Sequence, residues 1–157
     1  MLLNSQRPFR GPQSDMRPAS LAKRLLAMLY DFMIIVAIWM ITGFAAVGLN
    51  DGEAVEGPAL KSALFIITFL FFGFFWTRNG QTLGMQAWRI RVQSLGGYKL
   101  TWTQSLLRFF LAALSILCFG LGYIWMLFND EKLTWHDKLS ESCVVQLPKI
   151  IDTKDAS

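Results

Sequence analysis

Residues that build catalytic and metal sites are scarce in this chain. It has one histidine, His136, and two cysteines, Cys118 and Cys143, which form no spaced pair and match no metal-binding pattern. No serine or cysteine stands beside a base in a recognisable nucleophile pattern, and the glycine motifs that bind phosphates or dinucleotides are absent. We therefore expect no catalytic residue, no metal and no cofactor, and we interpret both cysteines as small buried apolar residues.

Charge is nearly absent from three long apolar segments. Over half of the residues are hydrophobic (54%), and the mean hydropathy is +0.39, far above that of a soluble domain of this size. At about 1.5 Å per residue, the first segment is long enough to cross the ~30 Å hydrocarbon core of a bilayer, and the second is near the lower limit. The segments are Leu25–Leu49, Leu60–Trp76 and Leu106–Phe128, and their charged residues are Asp31, Lys61 and Arg108.

The charges between these segments are distributed unevenly. Residues 1–24 have five bases and one acid, and residues 78–99 have four bases and no acid. Residues 50–59 have three acids and no base. The positive-inside rule places the N-terminus and residues 77–105 in the cytoplasm and the acidic loop outside. A cleaved signal peptide does not fit, because the first apolar run is about twice the usual length and carries a charge.

The third apolar segment allows two interpretations. As one helix it would cross once and leave the tail outside, but Gly120 and Gly122 interrupt it, as in re-entrant or hairpin helices. Residues 87–93 and 142–147 have strand-like alternation, with Trp88, Ile90 and Val92 on one face of the first and Cys143, Val145 and Leu147 on one face of the second. If these strands pair, the segment must enter and return. We favour this second interpretation, which puts the C-terminus in the cytoplasm.

These patterns predict an α-helical membrane protein. It would have two transmembrane helices, a third broken or re-entrant apolar segment, and a small cytoplasmic β-hairpin-like strand pair. Residues 1–19, with three of the five prolines, are expected to form a disordered basic arm near the anionic lipid surface. Residues 20–148 would form the membrane domain and residues 149–157 a flexible tail. The basic residues are expected to face lipid headgroups, so we expect the lipid bilayer and not nucleic acid as a partner.

Asp31 is the charge that most needs an explanation. A carboxylate inside the hydrocarbon core costs about 2.5–3.5 kcal/mol on insertion scales unless it is protonated, paired or hydrated. Arg24 lies seven residues earlier, on the same helix face and about 10 Å away. We expect Asp31 to face protein, beside a packed interface formed by Ala27, Met28, Ile34 and Ile35.

Two further charged residues are candidate partners of this pair. Arg108 follows a capping-box pattern over residues 101–104, and its alternative role is an interfacial anchor. Asp137 has capping-box spacing from Thr134, which offers a local structural role. We expect Arg24 to bridge Asp31 and Asp137, because a guanidinium can donate to two carboxylates at once.

Several of these residues together resemble a known family. Arg24, Asp31 and Asp137, with the segments Gly80–Val92 and Gly120–Trp125, are similar to the motifs of the RDD family of integral membrane proteins, which is named after its Arg-Asp-Asp set. The resemblance covers about residues 18–147. Many relatives have proline and lysine where this chain has Leu83 and Met85.

The resemblance implies a bacterial inner-membrane protein. Most members of the family are uncharacterised; a transport role has been suggested for it, and sodium/proton exchange for some members. One hypothesis is therefore a small cation- or proton-coupled transporter that works as a homo-oligomer. The alternative is a non-catalytic membrane module that binds a protein or lipid partner, with the Arg-Asp-Asp set structural. The residues assigned to an ion pathway or a structural charge network are Arg24, Asp31, Arg108, His136 and Asp137.

Overall fold

Two long apolar helices and a small sheet form the frame of the protein. The structure, a computed structural model, describes residues 8–9 and 16–148; the predicted tail, residues 149–157, lies outside the described residues. The helices are α1 (Leu21–Leu49), α2 (Pro58–Arg78), α3 (Leu83–Ala87), α4 (Trp102–Leu117), α5 (Leu121–Phe128) and α6 (Trp135–Leu139). The strands are β1 (Arg17–Pro18), β2 (Ile90–Ser94) and β3 (Ser142–Gln146).

Helices α1 and α2 confirm the two predicted transmembrane helices. Both are long and apolar enough to cross a membrane. Pro58 occupies the first turn of α2, where its missing N–H is no loss. Large apolar side chains such as Phe32 and Phe44 are exposed along α1, as expected for a surface that contacts lipid. The indole Nε1–H of Trp39 donates to the hydroxyl of Thr68 (2.9 Å) and links the two helices.

The third apolar segment is broken, as predicted. Helices α4 and α5 are bent by 95°, and Gly120 between them has a positive φ of 74°, a conformation that glycine adopts without strain. Helix α4 begins with the expected capping box. It buries polar side chains and exposes apolar ones, the reverse of a soluble helix. The buried residues are Ser105, Arg108 and Ser115, and the exposed ones include Leu107, Phe110 and Leu114.

The predicted strand pair is confirmed, and a third strand extends it. The sheet has the antiparallel order β1-β3-β2, with Val92 opposite Val144 and Arg91 opposite Val145. Directly opposed residues share a face, so Val144 joins Ile90 and Val92 in the core. The other face of β3 has Val145, which is also buried, and Cys143, which is partly buried.

The sheet brings distant parts of the chain to one end of the molecule. Strand β1 precedes α1, β2 follows α2 and α3, and β3 follows the bent pair and α6. We call the three strands with α3 and α6 the sheet end. Part of the predicted disordered arm belongs to it, because Arg17 and Pro18 pair with β3 and Pro8 bridges to Tyr98. Residues 1–7 and 10–15 of that arm lie outside the described residues.

The main core lies where the sheet end meets the helices. It is an apolar cluster with partly buried aromatic rings at its edge. Phe109 of α4 packs against Phe65, Phe69 and Phe72 of α2, with ring centroids 5.5–6.1 Å apart, a range in which aromatic pairs attract. The buried members are Ala19, Ala27, Trp76, Met85, Ile90, Val92, Leu100 and Val144.

Candidate functional site

A fully buried carboxylate, that of Asp137, lies at the centre of the predicted charge set. Asp137 is in the first turn of α6, where its Oδ2 accepts a hydrogen bond from the backbone N–H of Thr134 (3.2 Å). The same oxygen accepts from Nη1 of Arg24 (2.5 Å), and Oδ1 accepts from Nη1 of Arg108. The local capping box and the long-range ion pairs therefore act on one side chain.

The two guanidinium groups set the charge state of Asp137. Burial alone raises the pKa of this carboxyl, but the adjacent Arg108 and Arg24 outweigh burial and hold it well below its ordinary value. The carboxylate is therefore ionised at every physiological pH. A buried ion pair with saturated hydrogen bonds is a strong constraint on structure, since loss of either partner leaves an unpaired buried charge.

Arg24 joins the start of α1 to α6, to β3 and to the loop that precedes α6. Besides Asp137, it donates through Nε to the carbonyl oxygen of Ala19 (3.2 Å). Its Nη2 donates to the carbonyl oxygens of Lys132 and Val144, at 3.3 Å each. Arg108 donates in addition to the hydroxyl of Ser142 (2.7 Å). These contacts fix the start of α1 against β3 and α6.

Asp31 has different partners from those predicted. Its Oδ2 accepts from the hydroxyl of Thr82 (2.5 Å), and its Oδ1 accepts from the backbone N–H of Gly84 (2.9 Å). Among the described residues no contact joins Asp31 to Arg24, so the expectation that Arg24 bridges both acids is wrong. The acid that is bridged is Asp137, by Arg24 and Arg108.

The contact between α1 and α3 is close enough to require glycine. A Cβ atom added at Gly84 would lie 2.2 Å from the carbonyl oxygen of Ala27. Beside Asp31, Ala27 and Ile35 are buried. Met28 and Ile34 are partly buried, so the four residues agree with the predicted interface. Thr82 and Gly84 were not identified as site residues from the sequence, although they lie in the Gly80–Val92 segment that carries the family resemblance.

His136 is buried next to the ion pairs without joining them closely. Its Nε2 lies 4.0 Å from Oδ1 of Asp137, and its ring packs on Tyr123 with centroids 4.7 Å apart. Burial and the nearby Arg108 lower the pKa of His136 to about 3. The imidazole is therefore neutral at neutral pH, and its Nδ1 has no hydrogen-bond partner among the described residues.

A cavity of about 160 Å³ adjoins the network. Arg24, Asp31, Arg108 and His136 all contribute to its wall. The remaining wall is mostly apolar and comes from α1, α2, α3, α4, α5 and β3, with Tyr123 and the Trp76 indole as its other polar side chains. Four of the five predicted site residues therefore meet at one space inside the protein.

The described part of the chain offers little for metal binding. It contains no group of three or more His, Cys, Asp or Glu side chains placed to hold a metal ion. Cys118 and Cys143 are free thiols, and both are only partly buried, which corrects the expectation that they are buried. What the site presents instead is a set of buried cations, one buried carboxylate that they share, and an adjoining cavity.

The fold and site define a class: a helical membrane protein with a buried Arg–Asp–Arg network at one end. The model of the RDD family matches residues 18–141, most of the chain, and the chain belongs to this family. No curated protein and no solved structure matches it.

Proposed function

We propose that this chain is a non-catalytic membrane module whose Arg-Asp-Asp set holds the fold and whose function is to bind a partner. The observation that carries the proposal is that every carboxylate oxygen of both acids accepts a hydrogen bond from the chain itself. Asp137 is 0% exposed and accepts from Arg24, Arg108 and Thr134. A cation would have to displace a guanidinium to reach it, at the cost of an unpaired buried charge.

Asp31 supports the same proposal. Both of its oxygens accept hydrogen bonds, from Thr82 and Gly84, and these bonds attach α3 to α1. A buried carboxylate whose two oxygens both accept hydrogen bonds stabilises the contact it makes, and its removal leaves the donors unsatisfied. The role proposed for Asp31 is therefore to position α3 and the start of β2.

The proposal includes a location and an orientation. The protein would be a multi-pass protein of the bacterial inner membrane, with both termini in the cytoplasm. In support, basic residues such as Arg17, Lys23 and Arg89 lie in or next to the sheet end, while the connection between α1 and α2 contains Asp51 and Glu53. Alkaline phosphatase fused after Ser157 should be inactive, because it folds in the periplasm; high activity would contradict the orientation.

Cation- or proton-coupled transport is the second candidate. The observation that favours it is the cavity, which has Asp31, Arg24 and His136 in one wall, since buried ionisable residues in membrane proteins often mark ion pathways. We expect two long helices and a bent pair to be too few to enclose a continuous path by themselves. This candidate therefore requires a homo-oligomer, with cations or protons as the transported species.

Ion flux in proteoliposomes distinguishes the two candidates. Purified protein is reconstituted with a pH-sensitive dye inside, and a Na⁺ or K⁺ gradient is applied. The module proposal predicts proton movement equal to that of empty liposomes. Transport would be established instead by three results together. The wild type conducts, a folded Asp31→Asn variant does not, and the exposed-site control Asp130→Asn conducts like the wild type.

A further inference from the structure

Two residues that line the cavity beside the charge network, Trp76 and Arg108, have N–H groups without an acceptor among the described residues. Trp76 is 5% exposed and lines the cavity, and its Nε1–H has no partner among the described residues. An indole nitrogen can only donate. Leaving a buried donor unpaired is costly, so such a group indicates a ligand atom that accepts.

Arg108 presents further donors to the same space. Arg108 is 4% exposed and lines the cavity, and its guanidinium lies over the Trp76 ring at 5.4 Å. Among the described residues it donates through Nη1 alone, to Asp137 and Ser142. Its Nε and Nη2 are therefore available to an acceptor that enters beside Trp76.

The local balance of charge favours an anion. Arg24 and Arg108 share one carboxylate, that of Asp137, which leaves this cluster with an excess of positive charge. His136 adds no charge at neutral pH, because its pKa is about 3. Asp31 is the second acid of the cavity wall, and it contacts Thr82 and Gly84 and neither guanidinium, so the excess of positive charge belongs to the Arg24–Arg108–Asp137 cluster and not to the wall as a whole. An anion with several acceptor oxygens would meet both the charge and the free donors.

An apolar groove continues from the cavity. It has a volume of about 340 Å³ and lies between the start of α1 and the α4–α5 bend. Met28, Ile116 and Tyr123 line both spaces, so the groove and the cavity are adjacent. Its other residues, apart from Gly120, are large and apolar: Leu21, Leu25, Phe119 and Ile124.

We propose that the cavity and groove together bind one anionic phospholipid of the surrounding bilayer. The phosphate oxygens accept from Trp76 Nε1 and from Arg108, and one acyl chain lies in the groove. A soluble anion would satisfy the donors but leave the groove bare, which is why a lipid is the occupant. This inference rests on the proposed function, since it names the partner that the module binds.

Photolabelling in nanodiscs tests the proposal on the full chain. The discs contain equal amounts of phosphatidylglycerol and phosphatidylcholine, and in separate samples one or the other has a diazirine on its acyl chain. We expect phosphatidylglycerol to label residues 21–28 and 116–124 about tenfold more than phosphatidylcholine, since hydrogen bonds to a charged partner are the stronger class. Equal labelling by the two lipids would overturn the proposal.

Matched variants identify the donors. Trp76→Phe keeps the ring and removes the N–H, so the preference for phosphatidylglycerol should fall by about tenfold. Trp125→Phe changes a half-exposed tryptophan outside the cavity and should leave the preference unchanged. If Trp76→Phe does not fold, Ala112→Leu, which narrows the cavity, replaces it with the same expected loss. An unchanged preference in the folded variant would overturn the assignment.

Inorganic phosphate in large excess distinguishes a lipid from a free anion. If phosphate abolishes the labelling preference, the site takes a soluble anion and the lipid assignment is overturned; retention supports the lipid. The label reports on occupancy and not on transport. If the wild type conducts ions and still prefers phosphatidylglycerol, the module proposal alone is refuted. If it conducts no ions and shows no preference for phosphatidylglycerol, this inference alone is refuted.

Discussion

Nη1 of Arg24 lies 2.5 Å from Oδ2 of Asp137, although the two residues are 113 positions apart in the chain. One belongs to the start of the first long helix and the other to the short helix that precedes the last strand. With Arg108 on the other carboxylate oxygen, the pair links α1, α4 and α6. The ion network therefore determines how the helices meet the sheet end.

Removing the shared carboxylate should destabilise the protein strongly. Asp137→Asn leaves Arg24 and Arg108 as buried unpaired charges, and we expect a loss of about 3–5 kcal/mol in the free energy of unfolding. Unfolding by SDS in mixed micelles, followed by circular dichroism, measures it. The control is Asp130→Asn at an exposed position, which should change stability by no more than about 0.5 kcal/mol. Equal effects of the two substitutions would show that the ion pairs contribute nothing.

The hydroxyl of Thr82 should matter because it donates to Asp31. Thr82→Val keeps the shape of the side chain and leaves one carboxylate oxygen without its donor, at a cost of about 1–3 kcal/mol. Thr103→Val at an exposed position of α4 serves as the control and should be nearly neutral. The same micellar unfolding measurement applies. A Thr82→Val protein as stable as the control would mean that this hydrogen bond is not formed.

The packing of α3 on α1 should not tolerate a methyl group at Gly84. In Gly84→Ala the new Cβ would meet the carbonyl oxygen of Ala27 at 2.2 Å, so α3 must move away from Asp31. We expect a loss of about 1–3 kcal/mol, as for other overpacked sites. Gly43→Ala is the control, because a Cβ there meets nothing within 4 Å and alanine favours the helix. If both variants are equally stable, α3 does not pack as closely on α1 as the structure shows.

His136 should make stability depend on pH. Its pKa in the folded protein is about 3, below its ordinary value of 6.5, so the unfolded chain binds the proton first as the pH falls. The stability that the neutral imidazole contributes is fully present above about pH 6.5. It is lost as the pH falls from there to about pH 3, at up to about 1.4 kcal/mol per pH unit. Thermal unfolding in detergent at pH 7 and pH 5 measures it.

The control for the pH effect is the removal of the imidazole. His136 is the only histidine in the chain, so His136→Gln should abolish most of the difference between pH 7 and pH 5. Carboxyl groups with ordinary pKa values are still ionised at pH 5. The same difference in wild type and variant would contradict the account of a neutral buried histidine.

Much of the architecture could be predicted because it depends on local patterns. Uninterrupted apolar runs define α1 and α2, and Gly120 marks the break between α4 and α5. Threonine followed three residues later by a side-chain acceptor indicates a capping box, as at Thr101 and Thr134. These signals lie within one helix or one turn, so the sequence alone contains them.

The buried face of β3 and the partners of Asp31 could not be predicted, because neither follows from a local pattern. Cys143, Val144 and Val145 are all apolar, so alternation cannot tell which face of the strand is buried. Asp31 accepts from Thr82 and Gly84, 51 and 53 residues away, and spacing along α1 contains no information about them. The sequence identified the charged residues, but the prediction that Arg24 contacts both acids was wrong, because among the described residues it pairs with Asp137 alone.

The central claim is that the buried ion network holds the fold, and a double-mutant cycle between Arg24 and Asp137 tests it most directly. Arg24→Met, Asp137→Asn and the double variant are unfolded by SDS in mixed micelles, with Arg24→Met plus Asp130→Asn as the uncoupled reference pair. We predict that the double variant loses about 2 kcal/mol less than the sum of the single losses, within the range for residues in contact. If the loss in the double variant equals the sum of the two single losses to within about 0.5 kcal/mol, as expected for the reference pair, the claim that this ion pair holds the fold is contradicted.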